Sequence, residues 1–275
     1  MLLFNKNTLW RFTVKSVINV NSKEDYPRLQ SMAEFFSDTA SGRKGIPSKR
    51  VYRGTVELFK EDQKTINFYK KHSELRGNFD KHFFSSIPYI LEQECRLGRT
   101  LLEYSLNKTQ TNQSVNIYTL GTAESTMART LGLLGGGKIK TFSCSPTKEN
   151  EVSFLSHGIP PHSSFFVGPY FEVNKDLFKN SQNYSDFSVG FDVIVEDTTF
   201  QMYEKNRDKQ IKEVKVNLKK DGIFVFIEKF RNENIDEYIK REKQKDQKFK
   251  SQFFTEDEIV DKEKDILSVM NNHEV

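Results

Sequence analysis

Between residues 115 and 228, short β-rich runs alternate with helical stretches, and this alternation limits what the chain can fold into more than any other feature. Residues 115–119, 139–143, 164–168, 191–196 and 223–228 read as five strands by their β-branched and aromatic content. Residues 124–134, 148–157 and 203–218 between them read as helices. Strand–helix–strand units are right-handed and build a mostly parallel sheet covered on both faces, so the expected class is a doubly wound α/β fold. Ligands of such sheets sit at the carboxyl ends of the strands, where strand order reverses. The residues just after each strand are therefore the candidates for chemistry.

The flanking segments read differently. Residues 10–20 alternate, with Trp10, Phe12, Val14, Ile18 and Val20 on one side, as in a half-buried strand. Helices are expected over 26–36, over 56–75 with Phe59, Ile66 and Tyr69 on one stripe, and over 90–106 after Pro88. Residues 37–47 read as a loop and 107–114 as a polar linker. The last 45 residues, from Arg231, are charged and helical by composition. The expected organisation is a basic N-terminal α+β extension over 1–80 and an α/β domain over 81–275, with a helical cover over 231–275.

Composition excludes several classes. No run approaches the roughly 20 apolar residues of a membrane span, and the first residues lack the apolar core of a secretory signal. Two cysteines, Cys95 and Cys144, make no disulfide framework and fit a reducing compartment, so a cytoplasmic protein is expected. The apolar fraction is 36%, but 24 Phe and 10 Tyr supply bulky core material. The net charge of +4 is uneven: 19 cations against 12 acids over 1–110, 6 against 9 over 111–200, and 17 against 17 thereafter.

Individual motifs carry less. Gly132 to Lys138 (GLLGGGK) has the spacing of a phosphate-binding loop. Ile139 stands where a Mg²⁺-binding hydroxyl is needed, and a helix precedes where a strand should, so a glycine C-cap is expected. Gly121, ending the first strand, lets backbone N–H groups approach a ligand or simply makes the turn. Glu196 and Asp197, ending the fourth, either accept hydrogen bonds from a ligand or cap the next helix. His157 and His162 bracket a Gly-Ile-Pro-Pro loop with no further ligand at metal spacing, and no metal site is expected. Arg43, Lys44, Lys49, Arg50 and Arg53 put five cations into eleven residues, as a solvated loop does, or a phosphate-binding one in which Tyr52 stacks on a base.

Residues 191–203 (FDVIVEDTTFQMY) and 216–230 (VNLKKDGIFVFIEKF) resemble class I S-adenosylmethionine-dependent methyltransferases, and within them the carboxy-S-adenosylmethionine synthase group. Ser86-Ile87-Pro88-Tyr89 is similar to an element before that group's first strand. Ser145-Pro146 resembles its turn after the second, and Phe249 to Met270 its helical cover. The likeness spans about residues 80–270 and implies a Rossmann-like fold with S-adenosylmethionine, or a close analogue, as cofactor.

The resemblance places the cofactor over Gly121, Thr122 and Ala123, with Tyr89 and Glu196 beside it. It puts Ser143, with Cys144 next to it, where the family grips the ribose with an acid, and Pro169 where an acid lies near the adenine. Lys250 falls where the synthase binds an extra carboxylate through arginine, keeping the charge but losing the bidentate fork. The implied function is methyl transfer to an unknown acceptor. The alternatives are carboxy-S-adenosylmethionine synthesis in transfer-RNA wobble modification, and a non-catalytic binding or scaffold protein. The 47 residues after the fifth strand read as helix where the family closes its sheet with an antiparallel hairpin, so that strand would be an edge covered by residues 10–20 or by a second copy in a homo-oligomer, or the protein is a shortened relative.

Overall fold

The computed structural model describes residues 25–109, 114–203, 206–228 and 234–264. Five strands form one sheet: β1 (Val115–Leu120), β2 (Ile139–Ser145), β3 (Ser163–Val167), β4 (Phe191–Asp197) and β5 (Leu218–Ile227). Their order is β3-β2-β1-β4-β5 and every pairing is parallel. The winding runs outward from β1 in both directions, which is the doubly wound, Rossmann-like arrangement expected from the alternation. Strand order reverses between β1 and β4, where Leu120 pairs with Glu196.

Alternation along the strands builds two cores. On one face Val115, Ile117, Val193 and Val195 pack with Phe68, Leu91, Cys95 and Leu131. On the other Tyr118, Leu120 and Ile194 pack with Phe142, Phe178, Phe187, Phe191 and Phe200. Burying each large side chain contributes about 1.5–3 kcal/mol, so the phenylalanines compensate for the low apolar fraction. The second core is largely aromatic, with Phe142 meeting Phe178, Phe187 and Tyr184 edge-on at 5.2–5.3 Å.

Helices α1 (Asp25–Ala40), α2 (Gln63–Leu75), α3 (Asn78–Phe84) and α4 (Ile90–Lys108) precede the sheet. α5 (Thr126–Gly135), α6 (Lys148–Leu155), α7 (Lys175–Asn180) and α8 (Arg207–Lys215) connect its strands, and α9 (Ile235–Lys248) and α10 (Glu256–Lys262) follow it. The helix expected over 56–75 is broken. A 3-10 turn (Val56–Phe59) is followed by Asp62, whose side chain accepts the Thr65 N–H and starts α2. α1 runs four residues into the expected loop because Ser37, Thr39 and Ala40 are buried. Gly132 to Lys138 is a helix end: Gly136 and Gly137 have φ of 56° and 85°, and Lys138 N–H donates to Gly135.

α2 and α3 share the first core through Phe68 and Phe84, so residues on both sides of position 80 pack together. Residues 10–20 lie outside the described residues. β5 is an edge of the sheet among the described residues. No described helix is long and apolar enough to cross a membrane.

Candidate functional site

A cavity of about 410 Å³ lies over the carboxyl ends of β1, β4 and β5, at the strand-order reversal. Its floor is the turn after β1 (Gly121 to Ser125), the turn after β4 (Asp197 to Thr199) and the end of β5. Its roof comes from α1, α3 and α4, and from Glu242, Lys245, Lys250 and Lys262 of the C-terminal helices. Volume and position both match a small-molecule site.

The floor is strained. Ser125 and Thr198 hold φ of 56° and 55°, the left-handed region that costs L residues about 1–2 kcal/mol and a β-branched threonine most. Two such residues facing one cavity are the kind of outlier that marks ligand clamps. Gly121 has φ of 67°, and a Cβ there would fall 2.2 Å from Thr199 Cγ2, so Thr199 occupies the space the glycine leaves.

The walls are acidic and tightly held. Glu124 is buried and accepts the N–H groups of Phe79 (2.9 Å) and Asp80 (3.4 Å), while Asp80 accepts from the Thr126 hydroxyl at 2.6 Å. Burial raises both carboxyls, helped by the Glu94 charge at Asp80 and by the Asp80 charge at Glu124, and the buried Arg129 guanidinium pulls them down. Arg129 is fixed by the Leu75 carbonyl at 2.8 Å and the Thr126 hydroxyl at 2.9 Å. Arg76 donates to His72 Nδ1, so His72 Nε2 carries the proton and donates to Glu94 Oε1 at 3.0 Å. Burial pushes Glu94 up to about 7 and His72 down to about 3.

Three buried acceptors on the lining have no partner among the described residues. They are His82 Nε2, Asp197 Oδ1 and Gln201 Oε1. His82 Nδ1 lies 2.5 Å from the Gly45 carbonyl, which only accepts. Nδ1 therefore carries the proton and Nε2 presents a lone pair. Burial, with Lys262 and Lys250 adding repulsion, holds this imidazole neutral by lowering it well below its usual range. Burial raises Asp197 to about 7. An unpaired buried acceptor costs about 1–3 kcal/mol, so the cavity is suited to a ligand rich in hydrogen-bond donors. Lys250, also on the lining, is 2% exposed, its Nζ 2.5 Å from Asp246 Oδ1.

The residues expected at the site are divided by the fold. Gly121, Thr122, Ala123 and Lys250 line the cavity. Ser143, Cys144, Pro169 and Glu196 are buried and are not part of its lining. The Ser143 hydroxyl is 2.8 Å from that of Thr119, and Cys144 Sγ is 3.1 Å from the Tyr118 hydroxyl. Burial raises the Cys144 thiol to about 11, which makes it inert. Glu196 accepts the N–H groups of Thr199 and Phe200, at the start of the 3-10 turn Phe200–Met202. Tyr89 has φ of 62°, is 58% exposed, and lies outside the cavity on the rim of a second groove.

Sequence reasoning missed Asp80, His82, Glu94, Glu124 and Asp197 as one constellation. They come from α3, α4 and two strand ends, and only Asp197 and Glu124, each just after a strand, had a positional signal. The basic loop is also resolved into separate roles. Arg43 pairs with Asp38 at 2.7 Å, and Lys49 donates to the Ser251 carbonyl at 2.9 Å. Arg50 donates to Gln252 and stacks over Phe253 at 5.1 Å.

No family model matches the chain, and no curated protein matches it either. Among solved structures, the chain is similar to the plantazolicin methyltransferase BpumL crystallised with S-adenosylhomocysteine (10% identity, 85% of this chain and 76% of that one, TM-score 0.40). It is also similar to YjhP from E. coli (16%, 66% of each chain, 0.37) and to a ribosomal protein L11 methylase from Lactobacillus delbrueckii (13%, 55% and 67%, 0.31). It spans about half the length of a matched protein from Galdieria sulphuraria, 48% of that chain at 17% identity. Similarities at these scores carry no inference about chemistry, and the Rossmann-like assignment rests on strand order and parallel register.

Proposed function

We propose that the chain binds S-adenosylmethionine, or a close analogue, in the switch-point cavity and transfers its methyl group to an acceptor. The observation that carries this reading is the set of unpartnered buried acceptors, His82 Nε2, Asp197 Oδ1 and Gln201 Oε1, beside an acidic wall at the strand-order reversal. The cofactor is cationic at sulfur and carries an ammonium, two ribose hydroxyls and an adenine amino group, all donors or positive charge. Its carboxylate suits the lysine side of the cavity at Lys250. The residues present therefore fit the group, although the ribose and adenine would not be gripped from Ser143 or Pro169, which are buried outside the lining.

When bound, the cofactor supplies an activated methyl group. The protein's own work is to orient and to exclude water. Asp197, with Glu94 and Glu124 in the walls, favours positive charge in the cavity. The neutral His82 Nε2 accepts a hydrogen bond from a hydroxyl or amine acceptor and so orients it, its low proton affinity suiting it to positioning. Calorimetry with S-adenosylmethionine and S-adenosylhomocysteine tests the reading. Binding weakened at least tenfold by Asp197→Asn is expected, and no heat at millimolar ligand would sink it.

A second reading has its own support. Thr199 fills the space at Gly121 and the positions after β2 and β3 are packed shut, which suits a fold that binds without catalysing. Ligand binding with no methyl loss to any acceptor fraction would favour it. Carboxy-S-adenosylmethionine synthesis would use the Lys250 charge, and mass spectrometry of the co-purified ligand separates that cofactor from S-adenosylmethionine.

A further inference from the structure

A second groove, of about 1100 Å³, opens on the outside of the roof. One wall is residues 50–55 with Pro88 and Tyr89, and the other is α9. Its lining holds five cations, Arg50, Arg53, Arg241, Lys245 and Lys248, and no carboxylate. Arg241, Lys245 and Lys248 are spaced i, i+4 and i+7, so one helix face presents all three. Arg241 is paired with Glu237 at 2.9 Å and Lys245 with Glu242, but among the described residues Arg50 is hydrogen-bonded only to neutral groups of Gln252. The exposed side chains of Arg53 and Lys248 have no partner among the described residues.

Aromatic rings are interleaved with these charges. Tyr52, Phe249 and Phe253 meet edge-on at 5.0–5.6 Å along the groove. Tyr89 stands apart at 58% exposure, held outward by a left-handed backbone that tyrosine adopts at a cost. A bulky ring exposed on a strained backbone beside unpaired cations has no packing role to explain it.

We propose that this groove binds single-stranded nucleic acid. Arg53 and Lys248, on opposite walls, contact phosphates of one backbone, and Tyr89 stacks on a base. A concave channel lined by cations on both walls follows a single strand, whereas a membrane surface is met by a convex face. The sequence pointed at the loop over 43–53 alone. The fold ties Arg43 and Lys49 into surface contacts within the chain, outside the groove, and supplies α9 in their place. Lys245 lines both the groove and the switch-point cavity, so the two spaces are neighbours. The assignment does not depend on methyl transfer, because strand binding is measured without cofactor.

The test is fluorescence anisotropy of the full chain with labelled ten-nucleotide oligo(U) and oligo(dT) across a salt series. Binding is expected to weaken with salt, each phosphate contact contributing about 0.7 to the logarithmic slope. Arg53→Glu with Lys248→Glu should weaken it at least tenfold and flatten the slope. The control Lys212→Glu with Lys215→Glu, on exposed positions of α8, has the same charge change and should have far less effect. Arg53→Gln with Lys248→Gln removes both charges without reversing them and should give the same ordering at smaller amplitude. Tyr89→Asn, which tolerates the left-handed backbone, should cost about tenfold by loss of stacking. The proposal is overturned by no binding at low salt, or by groove and control reversals of equal effect. It is equally overturned if anionic vesicles bind in preference to the strand, or if inorganic polyphosphate binds as well as RNA while Tyr89→Asn is silent.

Discussion

Replacing Glu196 with glutamine should stabilise the protein at neutral pH, although the residue is buried and hydrogen-bonded. Its Oε1 accepts the Thr199 N–H at 2.6 Å and the Phe200 N–H at 3.0 Å, while Oε2 is buried without a partner. Burial raises the carboxyl from 4.5 to about 8, against the pull of the two N–H groups and with help from the Glu228 and Asp197 charges. The folded protein therefore holds a proton at pH 7 that the unfolded chain has released. The contribution of this group is fully present below pH 4.5 and is lost as pH rises to about 8. At pH 7 the loss is on the order of 3 kcal/mol, from about 1.4 kcal/mol for each pH unit above the unfolded value. Glutamine is the isostere of the protonated form and keeps both accepted bonds at its carbonyl. Glu196→Gln should then gain about 2–3 kcal/mol at pH 7 and nothing near pH 4. Guanidinium unfolding of variant and parent at a series of pH values between 4 and 8 measures the difference. A variant less stable at pH 7, or a difference that stays constant with pH, would refute the assignment of the proton to Glu196.

Two further substitutions probe the packing beneath the cavity. A Cβ at Gly98, in the middle of α4, would lie 2.2 Å from Phe68 Cζ, so Gly98→Ala should cost about 1–3 kcal/mol despite its better helix propensity. Phe68→Leu in the same chain should recover part of that loss, and additive losses in thermal unfolding would contradict the contact. Arg129→Met strips the buried cation facing Asp80 and Glu124 and leaves the Leu75 carbonyl unpaired, at a cost of about 3–5 kcal/mol. That cost should be smaller at pH 5 than at pH 8, since protonation relieves the stranded acids; a pH-independent loss in denaturant melts would argue against the cluster.

The alternation of strands and helices was legible because burial on both faces of a parallel sheet forces continuous β-rich runs such as residues 191–195. The Gly121 turn was legible because it ends the first of them. Asp62 was a readable helix start inside the stripe over 56–75, and the periodicity of Phe59, Ile66 and Tyr69 masked it. The acidic wall was not legible. Asp80, Glu94 and Glu124 lie on three different helices and turns, and nothing local separates them from solvated carboxylates. The outer groove was half legible. Its cations at 50 and 53 stand out in the sequence, while Arg241, Lys245 and Lys248 are diluted among the alternating charges of α9.

The long-range ties of the roof set an order of assembly. Ser48, Lys49 and Arg50 bond to residues 251–258 across more than 200 positions, and Lys49 N–H donates to the Phe253 carbonyl. During synthesis the five strands are all present once Ile227 has emerged, and a sheet of sequentially formed strand–helix units can consolidate from then on. The cavity still lacks Lys250 and Lys262 at that stage, and the basic loop lacks its anchor. A ligand that needs the closed cavity therefore cannot guide the sheet into being. It can only lock a sheet already formed, and the helices that follow β5 decide when the site becomes complete.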